Sequence, residues 1–133
     1  MRLAALFLLV FLLLSAGLNA QVNGQLQHVD GKMILHVWGN HFERGYAQGY
    51  LLSNRILSMI NDYFYVSVCG NSPATYNYLL DYYDARFTVQ PKFVSEATGI
   101  MEGIAASGQS TYHNGLQRNL EAYDLLMINA IVD

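Results

Sequence analysis

The sequence predicts an α+β fold: an N-terminal β-hairpin followed mainly by α-helices. Three observations carry that prediction. Alternating apolar residues flank an Asp30-Gly31 step, which is a strong two-residue hairpin signal. Asn40 stands three residues before Glu43 at the head of an apolar pattern spaced by threes and fours, the arrangement of a capped helix start. Ser72-Pro73 and Gln90-Pro91 then open two further helices, because proline at the first helical position has no N–H to leave unpaired.

The chain before the hairpin is expected to be an address. Arg2 supplies a positive start, Leu3 to Leu14 is apolar, and Ser15-Ala16-Gly17-Leu18-Asn19-Ala20 is rich in small residues. That is the pattern of a signal peptide over residues 1–20, cleaved after Ala20, and the apolar run is short for a membrane span. The chain is therefore expected in the secreted fluid or the lumen of a lysosome or vacuole, with no stable membrane span after cleavage. Residues 21–133 form at most one domain.

Composition narrows the class. Hydrophobic residues make up 53% and charged residues 13% of the 133 residues, which excludes a disordered chain. The formal net charge is −3 and there is no run of Lys and Arg, so nucleic acid is not an expected partner. The ten tyrosines suit half-buried edges and interfaces. The single cysteine, Cys69, leaves no internal disulfide framework. Small exported domains usually rely on one or on a partner.

The elements follow in order. Gln25 to Trp38 reads as the hairpin, with Leu26 and His28 on the first half and Met33, Leu35 and Val37 on the second. The first helix starts near His41 and runs through Gly45, Gly49, Leu52, Ile56, Met59, Ile60 and Tyr63, stopping at Cys69-Gly70 with Gly70 as a left-handed terminator. Gly45 and Gly49 are four apart and share one face, and each costs about 1 kcal/mol relative to alanine in a helix interior. Close approach of another element is the expected compensation. The second helix, Ala74 to Phe87, sets Tyr76, Leu79, Leu80, Tyr83 and Phe87 on one side. The third carries Phe93, Ala97, Ile100, Met101 and Ile104, with Gly99 and Gly103 as a second spaced pair, and ends at Gly108. Ser107 to Gly115 reads as a loop and linker candidate. Asn119 is the expected cap of the next segment. Leu125 to Val132 is nearly all apolar, and periodicity does not separate buried helix from strand there.

Few residues offer chemistry. A nucleophilic cysteine needs a base and an electropositive setting, and Val66-Ser67-Val68 and Gly70 beside Cys69 supply neither. His28, His36, His41 and His113 are scattered, without the spacing of a metal site, so no metal and no cofactor is expected. Asp81 and Asp84 read as a solvated helix edge. His41, Glu43 and Arg44 form the most concentrated polar group. Its bland reading is a capped helix start with an exposed basic residue. Its functional reading places a site beside the glycine-faced helix.

Gly39-Asn40-His41-Phe42-Glu43-Arg44-Gly45-Tyr46-Ala47-Gln48-Gly49 resembles the N-terminal signature of the penicillin acyltransferase-like family of N-terminal-nucleophile (Ntn) amide hydrolases and acyltransferases. Glu102-Gly103-Ile104-Ala105 resembles that family's Glu-Gly-Ile-Ala helix. Asp124-Leu125-Leu126-Met127-Ile128-Asn129 is similar to its Asp-hydrophobic-Leu-Asn segment. Asn40, Glu43, Arg44, Gly45, Gly49, Glu102, Gly103 and Asn129 are the motif residues carried over.

The resemblance implies a precursor with an αββα sandwich that cleaves itself before a cysteine. That cysteine becomes the nucleophile, and its new α-amine the base. Amides of acyl chains, N-acyl lipids among them, would be the substrates. The family's cysteine lies beyond the Asp-Leu-Leu-Met-Ile-Asn segment, whereas Cys69 precedes it, so no catalytic residue is carried over. The expectation is a truncated N-terminal part of such an enzyme, inactive alone, whose partner is the rest of the domain, the β-subunit-like part. The glycine face is then expected to lie against elements outside this chain. Two other readings stand beside it. One is a small exported helical binding module using the Tyr-rich stretches 61–66 and 76–83. The other is a phospholipase B-like hydrolase fragment, suggested by Gly45-Tyr46-Ala47-Gln48-Gly49-Tyr50-Leu51-Leu52.

Overall fold

The computed structural model describes residues 22–132. The expected signal peptide, residues 1–20, lies outside them. Strands β1 (Gly24–Val29) and β2 (Lys32–Val37) pair antiparallel, with Leu26 opposite Leu35. Asp30 and Gly31 both take positive φ, +50° and +74°, as a type I′ turn requires. Leu26, Met33, Leu35 and Val37 lie half-buried on one face, while His28 is exposed. The hairpin packs on helix α1 (His41–Ser58). At Gly24 a Cβ would fall 2.9 Å from that of Ala47, so the first strand lies directly on the helix.

Helix α1 begins at His41 as its cap predicts. It breaks locally at Leu52 (φ −117°, ψ 15°) and continues into a π-helix, Met59–Val68. The wider π turn changes which residues face inward. Ile60, Phe64, Tyr65 and Cys69 are buried at spacings of four and five, whereas Tyr63 is 50% exposed. Placing Tyr63 on the buried face is therefore corrected: the period lengthens after Ser58, and the inward face passes to Phe64 and Tyr65. The end of the segment is widened in the same way. Cys69 N–H donates to Phe64 O and Asn71 N–H to Tyr65 O, with Gly70 at φ +64°.

Helix α2 (Pro73–Arg86) opens with the Ser72 hydroxyl accepting from Thr75 N–H. Helix α3 (Pro91–Ala106) opens on Pro91 without a side-chain cap from Gln90, and Gly108 (φ +85°) follows its end. The loop and linker reading of 107–115 is corrected. A small hairpin, β3 (Tyr112–His113) with β4 (Arg118–Asn119), begins within it, and His113 is buried. Asn119 is likewise not a cap but part of β4. Helix α4 (Ala122–Val132) starts later, with the Asp124 carboxylate accepting from Glu121 N–H at 2.7 Å. The apolar run of 125–132 is thus helical.

The dominant packing joins α1 to α3. A Cβ at Gly45 would lie 2.0 Å from Glu96 O, and one at Gly49 2.0 Å from Ile100 O. Reciprocally, a Cβ at Gly99 would collide with Phe42 O and one at Gly103 with Tyr46 O. Both sets of contacts advance by four on each helix, so the helices run in the same direction with their backbones touching. This corrects the expectation that the glycine face meets an element outside the chain: the second glycine pair is its partner. Such an approach lets Cα–H groups face carbonyl oxygens and leaves no room for a methyl group. The apolar core lies beside this joint, with Ile60, Phe64, Tyr76, Ile104, Met127 and Ile128 almost fully buried.

Candidate functional site

The motif residues at the head of α1 form a closed cap. Asn40 Oδ1 accepts from Glu43 N–H at 2.9 Å, and Glu43 Oε2 accepts from Asn40 N–H at 2.8 Å. Gly39, at φ +96°, admits the Glu43 carboxylate where a Cβ would stand 2.3 Å from it. Arg44 is not free. Its Nη1 donates to Gly39 O at 2.8 Å, tying the helix to the bend that leads into it.

His41 and Arg44 meet a residue that sequence reasoning did not single out, Glu96 on α3. His41 Nδ1 lies 2.8 Å from Arg44 Nη2 and 3.1 Å from Glu96 Oε2. One nitrogen cannot serve both. With the proton on Nε2 it accepts from Arg44, and with a proton on Nδ1 it donates to Glu96. The Arg44 to Glu96 separation of 3.9 Å leaves both arrangements open. The group is about one-third exposed, so its electrostatic contribution to stability is small.

Glu96 also lines a cleft of about 190 Å³ between α1, α3 and α4. Gln48 and Asn129 supply two carboxamides, and Phe93, Ile100 and Leu125 supply apolar walls. Asn129, the last motif residue, is thus exposed at a cleft shared with the first motif. Glu102 is exposed on the outer side of α3, whereas Gly103 is buried in the helix joint.

A second polar centre lies within the core. Asp124 is 1% exposed and holds Arg118 through two bonds, Nη1 to Oδ2 at 2.9 Å and Nη2 to Oδ1 at 2.7 Å. Tyr76 Oη donates to Asp124 Oδ1 at 3.0 Å. Burial, and then the Asp124 charge, push the Tyr76 phenol well above its ordinary range. The bond to Asp124 is the main influence holding the Arg118 guanidinium protonated. Nearby His113 stacks edge-on against Tyr65, with ring centroids 4.6 Å apart. Its Nδ1 accepts from Leu116 N–H at 3.2 Å, so Nε2 carries the proton, and among the described residues that buried atom has no partner. Burial, reinforced by Arg118 and opposed by Asp124, lowers its pKa. No signal in the sequence pairs Tyr76 with Asp124, because 48 residues separate them.

Cys69 is buried, and burial raises its thiol pKa, the opposite of what a nucleophile needs. Asp81 and Asp84 are exposed. Among the described residues, no group of three or more His, Cys, Asp and Glu side chains could hold a metal ion, and no helix is long and apolar enough to cross a membrane.

Comparison with protein-family models, with curated proteins and with solved structures finds no match.

Proposed function

We propose that this chain is the N-terminal part of an exported amide hydrolase or acyltransferase precursor of the Ntn type, resembling the penicillin acyltransferase-like family. One observation carries the reading. The three motif segments, far apart in sequence, lie near one another: Gly45 and Gly49 seat against α3, Gly103 seats against Tyr46, and Gln48 and Asn129 line the cleft beside that joint.

Cys69 is buried with a raised pKa and is not an activated nucleophile. In this reading the nucleophile is a cysteine encoded after the Asp124–Asn129 segment, and the remainder of the domain is the partner. Residues 1–20 direct export, and the substrates are acyl amides, N-acyl lipids included.

The test is the transcript beyond the codon for Asp133. A cysteine preceded by a small or polar residue is expected. The extended polypeptide should yield two fragments, the second beginning with that cysteine, and its Cys→Ala variant should stay whole. A stop codon overturns the reading, as would amidase turnover by the isolated chain that Cys69→Ala abolishes.

A second reading, a binding module, is favoured by one surface. Tyr78 (65% exposed) and Tyr82 stand side by side on α2 at a ring distance of 6.4 Å, with the Arg86 guanidinium 4.8 Å over Tyr82. Such aromatic and Arg groupings are frequent anchors at protein interfaces. A stop codon directly after that for Asp133 would favour this reading.

A further inference from the structure

We propose that the outer edge of β2 pairs antiparallel with the same edge of a second copy of this chain, joining two hairpins into one four-stranded sheet. The inference goes beyond the precursor reading and does not rest on it.

The register decides which backbone groups are free. The turn at Asp30-Gly31 closes on Val29 opposite Lys32, and the pair beside a two-residue turn exchanges both of its hydrogen bonds. Bonded pairs then alternate along the hairpin, Gln27 with Ile34 and Gln25 with His36. At the far end Trp38 N–H donates to Asn23 O at 3.0 Å, which keeps the same phase. The intervening residues of β2, Met33, Leu35 and Val37, therefore turn their N–H and C=O groups away from β1. Among the described residues no further strand takes them up.

Exposed edges are usually blunted by a central charge, a proline or a bulge. The β2 edge has none of these. Its one charge, Lys32, sits at the turn, it holds no proline, and its register runs unbroken. The β1 edge is the poorer one. It opens on Gly24, which has low strand propensity, and that residue is pressed against α1, where a Cβ would lie 2.9 Å from that of Ala47.

The strand is complementary to itself. Set antiparallel about Leu35, it places Leu35 opposite the second copy's Leu35 and Met33 opposite the second copy's Val37. These pairs make about six backbone bonds, and their half-buried side chains continue one apolar face. A slip by one residue would set free groups against groups already bonded. A slip by two would lose a pair to the turn at Gly31 or to the bend at Gly39. On the other face Ile34 meets His36 and Lys32 meets Trp38, in the positions where cross-strand side chains are closest. Trp38 is 48% and Ile34 37% exposed, and each gains a neighbour there. Lysine over an indole face is favourable, and no like charges stand opposite. The two-fold axis is perpendicular to the sheet, so both α1 helices lie on one side. Four strands about 4.8 Å apart leave room for two helices about 10 Å apart.

The experiment follows the full chain by sedimentation equilibrium and by amide hydrogen exchange as its concentration rises. The contact is smaller than a standard interface, so monomer is expected at about 1 μM and dimer at about 1 mM. Protection should rise with concentration at the amides of Met33, Leu35 and Val37, while those of Ile34 and His36 are protected throughout. The double variant Ile34→Lys with His36→Lys sets lysines across from one another twice and should weaken the dimer about tenfold. Ile34→Glu with His36→Glu should do the same. Both positions are exposed, and melting curves matching the wild type check that the hairpin is intact. Mixing the two variants sets lysine against glutamate and should restore the dimer. Monomer at every concentration, added protection at Leu26 and His28 instead, or a mixture no tighter than either variant alone overturns the proposal.

Discussion

Gly45 stands against the carbonyl oxygen of Glu96, so closely that a Cβ would lie 2.0 Å from it. The obstacle is backbone and cannot rotate away. Gly45→Ala is therefore expected to destabilise the chain by about 2–3 kcal/mol. At an exposed helical glycine the same change stabilises by about 1 kcal/mol. Gly103→Ala, on the other helix, should behave like Gly45→Ala. Urea unfolding midpoints decide, and a gain in stability at both positions would show that α1 and α3 do not touch there. Gly49→Leu, facing Ile100 O, is expected to prevent folding.

Arg118 neutralises a carboxylate that is 1% exposed. Arg118→Met removes the partner and leaves the Asp124 charge buried, with only Tyr76 Oη and Glu121 N–H as donors. A loss of about 3 kcal/mol is expected. The double variant Arg118→Met with Asp124→Leu should recover part of it, because the buried charge is then gone. Absence of any recovery would count against this account.

His113 should make the fold acid-sensitive. Its pKa is lowered in the folded chain, chiefly by burial, so the unfolded chain binds more protons. Stability is then full above the unfolded value, about 6.5, and falls as pH drops from there toward the folded value. The groups facing it are Arg118 on β4, Asp124 on α4 and the Tyr65 ring. His113→Asn keeps an acceptor for Leu116 N–H and removes the titration. Unfolding midpoints at about pH 7.5 and about pH 5.5 should differ more for the wild type than for the variant.

Cys69 should react slowly with thiol reagents in the folded chain. Burial both shields it and raises its pKa, and the thiolate is the reactive form. Labelling is expected to follow unfolding, with the rate rising steeply in urea. Fast labelling of the native chain at neutral pH would reopen Cys69 as a reactive group.

The parts legible in the sequence are those set by neighbouring residues. Asp30-Gly31 makes its turn because both residues tolerate positive φ. Asn40 and Glu43 close their cap within three residues, and Ser72-Pro73 and Gly108 act within a single turn of helix. Tyr63 turns outward because the hydrogen bonding widens after Ser58, a change that apolar spacing alone does not announce. The β3–β4 hairpin is not legible in the sequence because its two-residue strands are too short to show alternation.

The candidate site divides the same way. Two glycine pairs spaced by four are visible in the chain, and each predicts a close neighbour. That they are each other's neighbour follows only when α1 and α3 lie side by side. The same closure brings Glu96 to His41, across 55 residues, and Tyr76 to Asp124, across 48. Local backbone chemistry set where each element starts and stops, because those energies act within a turn. Which polar groups share a site was settled by packing, because burial and hydrogen bonding between distant residues exist only in the folded chain.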